Sequence, residues 1–313
     1  MQGTGCDNRD TRMEVFDRRA VRQHRERAAA GLERHDFLLR EVGERLADRL
    51  DDVRRTFPLA LDLGCHSGQL ARLLAGRGGI EALVQTDLSP AMARRAEGLR
   101  VVADEEALPF AAASFDVVLS LMSLHWVNDL PGALMQIRRA LKPDGLFLAA
   151  MLGGTSLNQL RQSLHAAEIA GEGGLSPRVS PFADARDAGN LLQRAGFALA
   201  VADAETVNVS YADPLALIRD LRGMGETNAV RARRRRCSRR ATMVAAIEHY
   251  QAAFAGADGR IPATFQVIFL TGWAPHPDQQ RALRPGAARA RLADALDSAI
   301  ASPAQGAVDR STP

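Results

Sequence analysis

Between residues 58 and 152, short apolar runs alternate with stretches of helical spacing, and this alternation restricts the chain more than any other feature. PLALDLG (58–64), EALVQTD (81–87), LRVVADE (99–105), FDVVLSLM (115–122) and LFLAAML (146–152) read as five strands. Gly68–Ala75, Pro90–Glu97 and Leu130–Leu141 read as the helices between them, the last ending at a KPDG turn over 142–145. An unbroken apolar run such as FDVVLSLM suits a parallel strand covered on both faces. Strands and helices alternating at this spacing predict an α/β fold with a doubly wound sheet.

The flanks are less regular. From Phe16 to Leu50, charged residues interleave with Phe37, Leu38, Val42, Leu46 and Leu50 at helical spacing. Helices are expected over 156–170, 184–195, 215–222 and 242–254, a sixth strand within 197–211 and a seventh over 264–273. The resulting division is an N-terminal segment and helix (1–50), a main domain (51–274) and a partly disordered tail (275–313) rich in Ala, Pro and Arg. A helical insert at about 212–260 separates strands six and seven. Hydrophobic residues make up 46% and charged residues 25%, which excludes collagen-like and wholly disordered chains. Cys6, Cys65 and Cys237 lie too far apart for a zinc motif or a disulfide framework, which suits a reducing cytoplasm. No apolar run is long enough to predict a membrane span. The first dozen residues lack the apolar core of a secretory signal, and Asp7 and Asp10 argue against a transit peptide; Met13 offers a second start.

The chemistry is concentrated at strand ends. Asp62-Leu-Gly64-Cys-His-Ser-Gly68 closes the first strand and opens a helix, the edge where open α/β sheets bind ligands. Glycine lets the backbone turn tightly and approach a ligand. A dinucleotide site would want G-x-G-x-x-G, but His66 stands at the middle glycine and no third glycine follows at that spacing. A carboxylate at Asp62 suits an ammonium group rather than a pyrophosphate. The alternative is a plain strand–turn–helix with a capping glycine. Asp87 ends the second strand and suits both hydroxyls of a ribose. Its alternative is a helix N-cap, although Ser89 before Pro90 fits that task better. Asp104, after the third strand, suits an adenine amino group, or else belongs to a polar loop. Three acids ending three successive strands behind a glycine turn describe a nucleoside with an ammonium-bearing tail and no phosphate.

ALDLGCHSG, the acid at 87, DEEALPF and FDVVLSLMSLHW resemble, in order, the motifs of class I S-adenosylmethionine (SAM)-dependent methyltransferases. The resemblance implies a Rossmann-like fold whose seventh strand inserts antiparallel beside the fifth, giving a mixed sheet. It implies that Asp62, Gly64 and Gly68 cradle the methionine part, Asp87 the ribose and Asp104 the adenine. Leu88, Met92 and Glu105 would line the adenosine, and Ser120 and Leu121 the methionine side. His66 departs from the usual glycine. A narrower resemblance, through LHWVNDLPGAL, GGLSPRVSPF, NLLQRAGF, DLRGMGETNA and PATFQVIFLTGW, is to the complex I assembly factor 5 family. Its mitochondrial members are SAM-binding arginine hydroxylases acting on a subunit of respiratory complex I. The resemblance implies a bacterial relative with a protein substrate. LHWVNDLP also resembles the malonyl-acyl-carrier-protein carboxyl methyltransferases of biotin synthesis. Methylation of a small or acyl-carrier-bound acid and a catalytically idle SAM-binding assembly factor are therefore the alternatives.

His125 and Trp126 follow the fourth strand, where substrate approaches the methyl group. His125 reads as a proton acceptor or a helix cap, and Trp126 as a pocket wall for a planar group or a core residue. Hydroxylation needs an oxidant, and no metal ligand set is expected. The only H-x-E, His24-Arg25-Glu26, lies on a predicted helix where positions two apart diverge by roughly 200°. Seven of the ten residues from Arg231 to Arg240 are arginine. They read as a solvated loop, with docking to an acidic protein surface or nucleic acid as the alternative. No aromatic residue interleaves the run, which disfavours nucleic acid. Of the 40 Lys and Arg residues only Lys142 is a lysine, a bias that fits a GC-rich genome better than a basic partner surface.

Overall fold

In the computed structural model, which describes residues 14–280, the five apolar runs of the first half become parallel strands. These are β1 (Leu59–Leu63), β2 (Ala82–Asp87), β3 (Leu99–Val102), β4 (Phe115–Leu121) and β5 (Leu141–Leu152). With β6 (Ala198–Tyr211) and β7 (Ile261–Trp273) they form a seven-stranded sheet ordered β3-β2-β1-β4-β5-β7-β6. β7 runs antiparallel to both its neighbours, so the sheet is mixed as expected.

The helices are α1 (Arg18–Ala28), α2 (Phe37–Asp51), α3 (Gln69–Leu73), α4 (Pro90–Ala93), α5 (Leu130–Ala140), α6 (Asn158–Glu172), α7 (Ala185–Arg194), α8 (Pro214–Gly223) and α9 (Arg240–Phe254). α8 and α9 are the helical insert between β6 and β7. Successive strand residues point to opposite faces. Val117, Leu119, Leu146 and Leu148 therefore join α2, α6, α8 and α9 in one core, while Val118, Phe147 and Ala149 join α5 and α7 in the other. Burial on both faces is why these strands read as continuous apolar runs rather than alternating ones.

Two local expectations are corrected. The helical pattern from Phe16 to Leu50 is two helices, broken at Gly31 and a short 3-10 turn over Leu32–Arg34 before Asp36 precedes α2. The KPDG segment lies inside β5 as an irregularity instead of preceding the strand. Phe115 pairs with Leu141 but Val117 with Leu146, and Asp144 takes a left-handed φ of 62°. One compact unit runs to His276 and includes α1 and α2 with the sheet. The expectations for Cys6, for the start at Met1 or Met13 and for the tail beyond Gln280 lie outside the described residues. No helix among the described residues is long and apolar enough to cross a membrane.

Candidate functional site

The glycine turn has the geometry its composition demands. Gly64 and Gly68 take φ of 78° and 83°, the left-handed region that glycine enters without a Cβ clash. A Cβ on Gly64 would also lie 2.1 Å from Ser123 Oγ, so the turn and the end of β4 interlock there. His66 takes φ of 51°, uncommon for a side chain. Its Nε2 lies 3.0 Å from the Leu121 carbonyl, which only accepts, so Nε2 carries the proton. Nδ1 is buried without a partner. Burial and then the Arg25 charge push the His66 pKa below its ordinary value, keeping the ring neutral.

The strand-end acids converge, each in a different state. Asp62 is wholly buried and neither carboxylate oxygen has a hydrogen bond. Burial, followed by the Asp87 charge, pushes its carboxyl up to about 8. Ser89 caps α4, its hydroxyl accepting from the Met92 N–H, which leaves Asp87 free of that duty. Asp87 instead accepts from the backbone N–H of Ser89 at 2.7 Å and of His66 at 3.1 Å. Asp104 is half-buried and Glu105 buried. Leu88 packs on a cluster of Phe16, Val21 and Trp126, while Met92 is fully enclosed in the larger core. The Ser120 hydroxyl donates to the Leu63 carbonyl at 2.7 Å, and Leu121 offers His66 its carbonyl.

Two arginines of α1 enter this acid cluster, and sequence reasoning missed both. Arg25 is buried; its guanidinium donates to Glu105 at 3.0 Å, Ser123 Oγ at 2.9 Å and Asp87 at 3.3 Å. Arg18 donates to Asp104 at 2.6 Å and also to Glu105. Burial alone would raise the Glu105 pKa, but Arg18 and Arg25 outweigh it and hold the carboxyl far below the usual carboxylate range. The signal was available: Arg18, Val21, Arg25 and Ala28 recur at three- and four-residue spacing, so the arginines lie in the apolar stripe of α1.

Beside the acids lies a cavity of about 790 Å³, reaching the glycine turn at His66 and the end of β4 at Met122 and Trp126. Its walls combine apolar side chains, among them Leu38, Leu160, Leu221 and Phe265 of α2, α6, α8 and β7, with a basic side made of Arg178, Arg222 and Arg233 to Arg236. Glu226, just beyond α8, faces into it. One oxygen, Oε2, contacts His125 Nε2 at 3.0 Å and accepts from the Trp126 indole N–H at 2.9 Å; Oε1 receives no hydrogen bond. Burial alone would raise the Glu226 pKa, yet the His125 ring, then Arg25 and His66, bring it below its ordinary value. Trp126 lines the cavity itself, whereas His125 meets it through Glu226. DLRGMGETNA contains Glu226, but nothing in its spacing singled that residue out.

The arginine run is not simply solvated. Arg231 pairs with Glu14, Arg233 with Asp17 at 3.0 Å and Arg234 with Glu172. Arg235 and Arg236 stand exposed at the cavity mouth with no ion pair among the described residues. His24 and Glu26 diverge: the His24 ring meets the Thr227 carbonyl, and Glu26 pairs with Arg22.

A family profile described as a methyltransferase domain matches residues 61–149. The zebrafish (Danio rerio) protein "Arginine-hydroxylase NDUFAF5, mitochondrial" is 45% identical over 289 residues, covering 90% of this chain and 89% of its own. The malonyl-[acyl-carrier protein] O-methyltransferase of Halorhodospira halophila is 36% identical, covering 88% and 94%. Among solved structures, the YcgJ protein of Bacillus subtilis superposes with a TM-score of 0.53 at 16% identity, over 75% of this chain and 99% of that one, a likeness of fold.

Proposed function

Because this chain belongs to the class I SAM-dependent methyltransferase family, we propose that it is an enzyme modifying the guanidinium group of an arginine presented by a protein substrate, a subunit of respiratory complex I. The observation that carries this reading is Glu226, a half-buried carboxylate facing the cavity with one oxygen that receives no hydrogen bond. A substrate guanidinium can supply that oxygen, Oε1, with a charge-assisted one. The arginine hydroxylases among the relatives support the same substrate class.

SAM supplies, when bound, a sulfonium-activated methyl group whose transfer asks mainly for positioning and exclusion of water. The chain's residues fit it. Asp62, buried and unpartnered, suits its ammonium group, with Gly64 and Gly68 giving the backbone its close approach. Asp87 suits the ribose and Asp104 the adenine. In the cavity, Glu226 Oε1 orients the substrate guanidinium while His125 and the Trp126 indole fix the carboxylate. The Trp126 ring walls the pocket for a planar cation.

In vitro with SAM, an arginine peptide from the complex I subunit should gain the mass of one methylene; with molecular oxygen and a two-electron reductant supplied as well, a gain of one oxygen atom would mark hydroxylation instead. Glu226→Gln should lower that rate roughly ten- to hundredfold while SAM binding persists. Equal rates for the two proteins would remove Glu226 from substrate binding. A second reading, carboxyl methylation of an acyl-carrier-bound acid, is supported by Arg235 and Arg236 at the cavity and by a relative. It would show as methyl transfer to the acyl group, insensitive to Glu226→Gln.

A further inference from the structure

The cavity carries more positive charge than its own acids balance. Six arginines line it, Arg178, Arg222 and Arg233 to Arg236, against two carboxylates, Asp17 and Glu226. Three of the six are committed: Arg178 to Glu168, Arg233 to Asp17 and Arg234 to Glu172. The other three are Arg222, in the last turn of α8, and Arg235 and Arg236 in the insert. All three are exposed, and none has an ion pair among the described residues. Glu226 pairs with His125 and with none of these arginines.

This surplus bears on what can reach Glu226. A substrate guanidinium is itself a cation, and three unpaired like charges in the wall oppose its entry. The opposition is relieved when the substrate segment brings its own anions, which meet the arginines while its guanidinium meets Glu226. In an extended segment, side chains two positions apart project to the same side. An acid that close to the acceptor therefore faces the cavity with it. We propose, on the reading of Glu226 as the seat of the substrate guanidinium, that the acceptor arginine is flanked within two positions by aspartate or glutamate, which docks on Arg222, Arg235 and Arg236. A carboxylate suits these side chains because a guanidinium presents paired N–H donors that match both its oxygens. The basic side of the cavity is then a filter. It admits an arginine carried by an acidic segment and repels one carried by a basic segment.

The test measures dissociation constants by calorimetry for the full-length protein with S-adenosylhomocysteine present, so that no methyl group is transferred. Three short synthetic peptides are compared. The first has one central arginine with aspartate two positions to either side, the second has asparagine at those two positions, and the third keeps both aspartates but has glutamine at the centre. Wild type should bind the first roughly five- to thirtyfold more tightly than the second at low ionic strength, the range for a few exposed charge pairs. The difference should shrink in 1 M salt, where the screening length is about 3 Å. The triple variant Arg222→Gln, Arg235→Gln, Arg236→Gln should lose most of the preference yet bind the asparagine peptide no more weakly than wild type, since a source of repulsion has gone. A preference that survives in the triple variant overturns the inference. So does equal affinity of wild type for the first two peptides; if the glutamine peptide is then the weaker binder, the arginine reading itself still stands. A glutamine peptide bound as tightly as the first would mean that acid is bound for its own sake, and overturns the arginine reading and the inference together. Binding of none of the three overturns both as well.

Discussion

Asp62→Asn should make the free protein more stable at neutral pH and a poorer binder of SAM. Asp62 is fully buried, unpartnered, and has a carboxyl pushed from an ordinary value near 3.8 up to about 8. The folded protein therefore holds a proton that the unfolded chain releases. For a raised pKa the contribution to stability is complete below about 3.8 and is lost as pH rises towards 8, at about 1.4 kcal/mol per pH unit. By pH 7 the loss is about 4 kcal/mol on this scale. Asparagine cannot ionise, so it removes the slope, although its buried amide costs about 1–3 kcal/mol of that gain. Urea unfolding from pH 4 to pH 8 should show wild type falling behind the variant as pH rises. Parallel curves would mean that Asp62 does not titrate in this window. The same replacement removes the anion facing the ammonium, so SAM affinity should drop roughly tenfold or more. In wild type, binding should release a proton, and the calorimetric heat at pH 7 should vary with the buffer's ionisation enthalpy. A residue that destabilises the free protein and serves the ligand is the trade expected at a binding site.

The parts of this site that were legible in the sequence share one physical cause. A buried parallel strand must be an apolar run, so a charged residue at its end is conspicuous, and Asp62 and Asp87 stand out in this way. Asp104 follows β3, whose residues are exposed, and was legible only by its place after the third strand. Gly64 and Gly68 are conspicuous because only a backbone need explains glycine between a strand and a helix. Arg25 and Glu226 were hidden by the opposite circumstance. Each sits in a polar stretch where charge is the rule: α1 carries Arg18, Arg19, Arg22, Arg25 and Arg27, and Glu226 lies in a loop. Only the helical spacing of Arg18 and Arg25 with Val21 and Ala28 separates them from the solvent-facing arginines, and it says nothing of Glu105, 80 residues from Arg25. The ion pairs of Arg231, Arg233 and Arg234 were hidden for the same reason, since their acids are the distant Glu14, Asp17 and Glu172. His66 was visible only as a missing glycine. Its role follows from a ring hydrogen bond to a carbonyl that spacing cannot anticipate.

Glu105→Gln should be the most damaging single change in the acid cluster. Glu105 accepts from both arginines of α1 and from Ser123, and it is buried with them. Glutamine keeps the shape but removes the charge, leaving Arg25 buried against Asp87 alone at 3.3 Å. Breaking a buried pair by neutralising one partner costs about 3–5 kcal/mol, because the remaining charge stays desolvated. The pH dependence runs opposite to that of Asp62. The Glu105 pKa is depressed in the fold, so its contribution is complete above the ordinary value near 4.5 and is lost as pH falls below it. Wild type and Glu105→Gln should therefore differ most at neutral pH and converge in acid. The loss should also be localised. Arg18 and Arg25 sit seven residues apart on one face of α1 and meet at this one carboxylate, so its charge is the tether between α1 and the sheet. Amide hydrogen exchange in residues 18–28 should accelerate in Glu105→Gln well before exchange in the central strand β4 does. Uniform acceleration across both elements would show that Glu105 supports the whole core and is no specific anchor of α1. Selective opening would make α1 a movable wall of the acid cluster, held to the sheet through the Glu105 carboxylate.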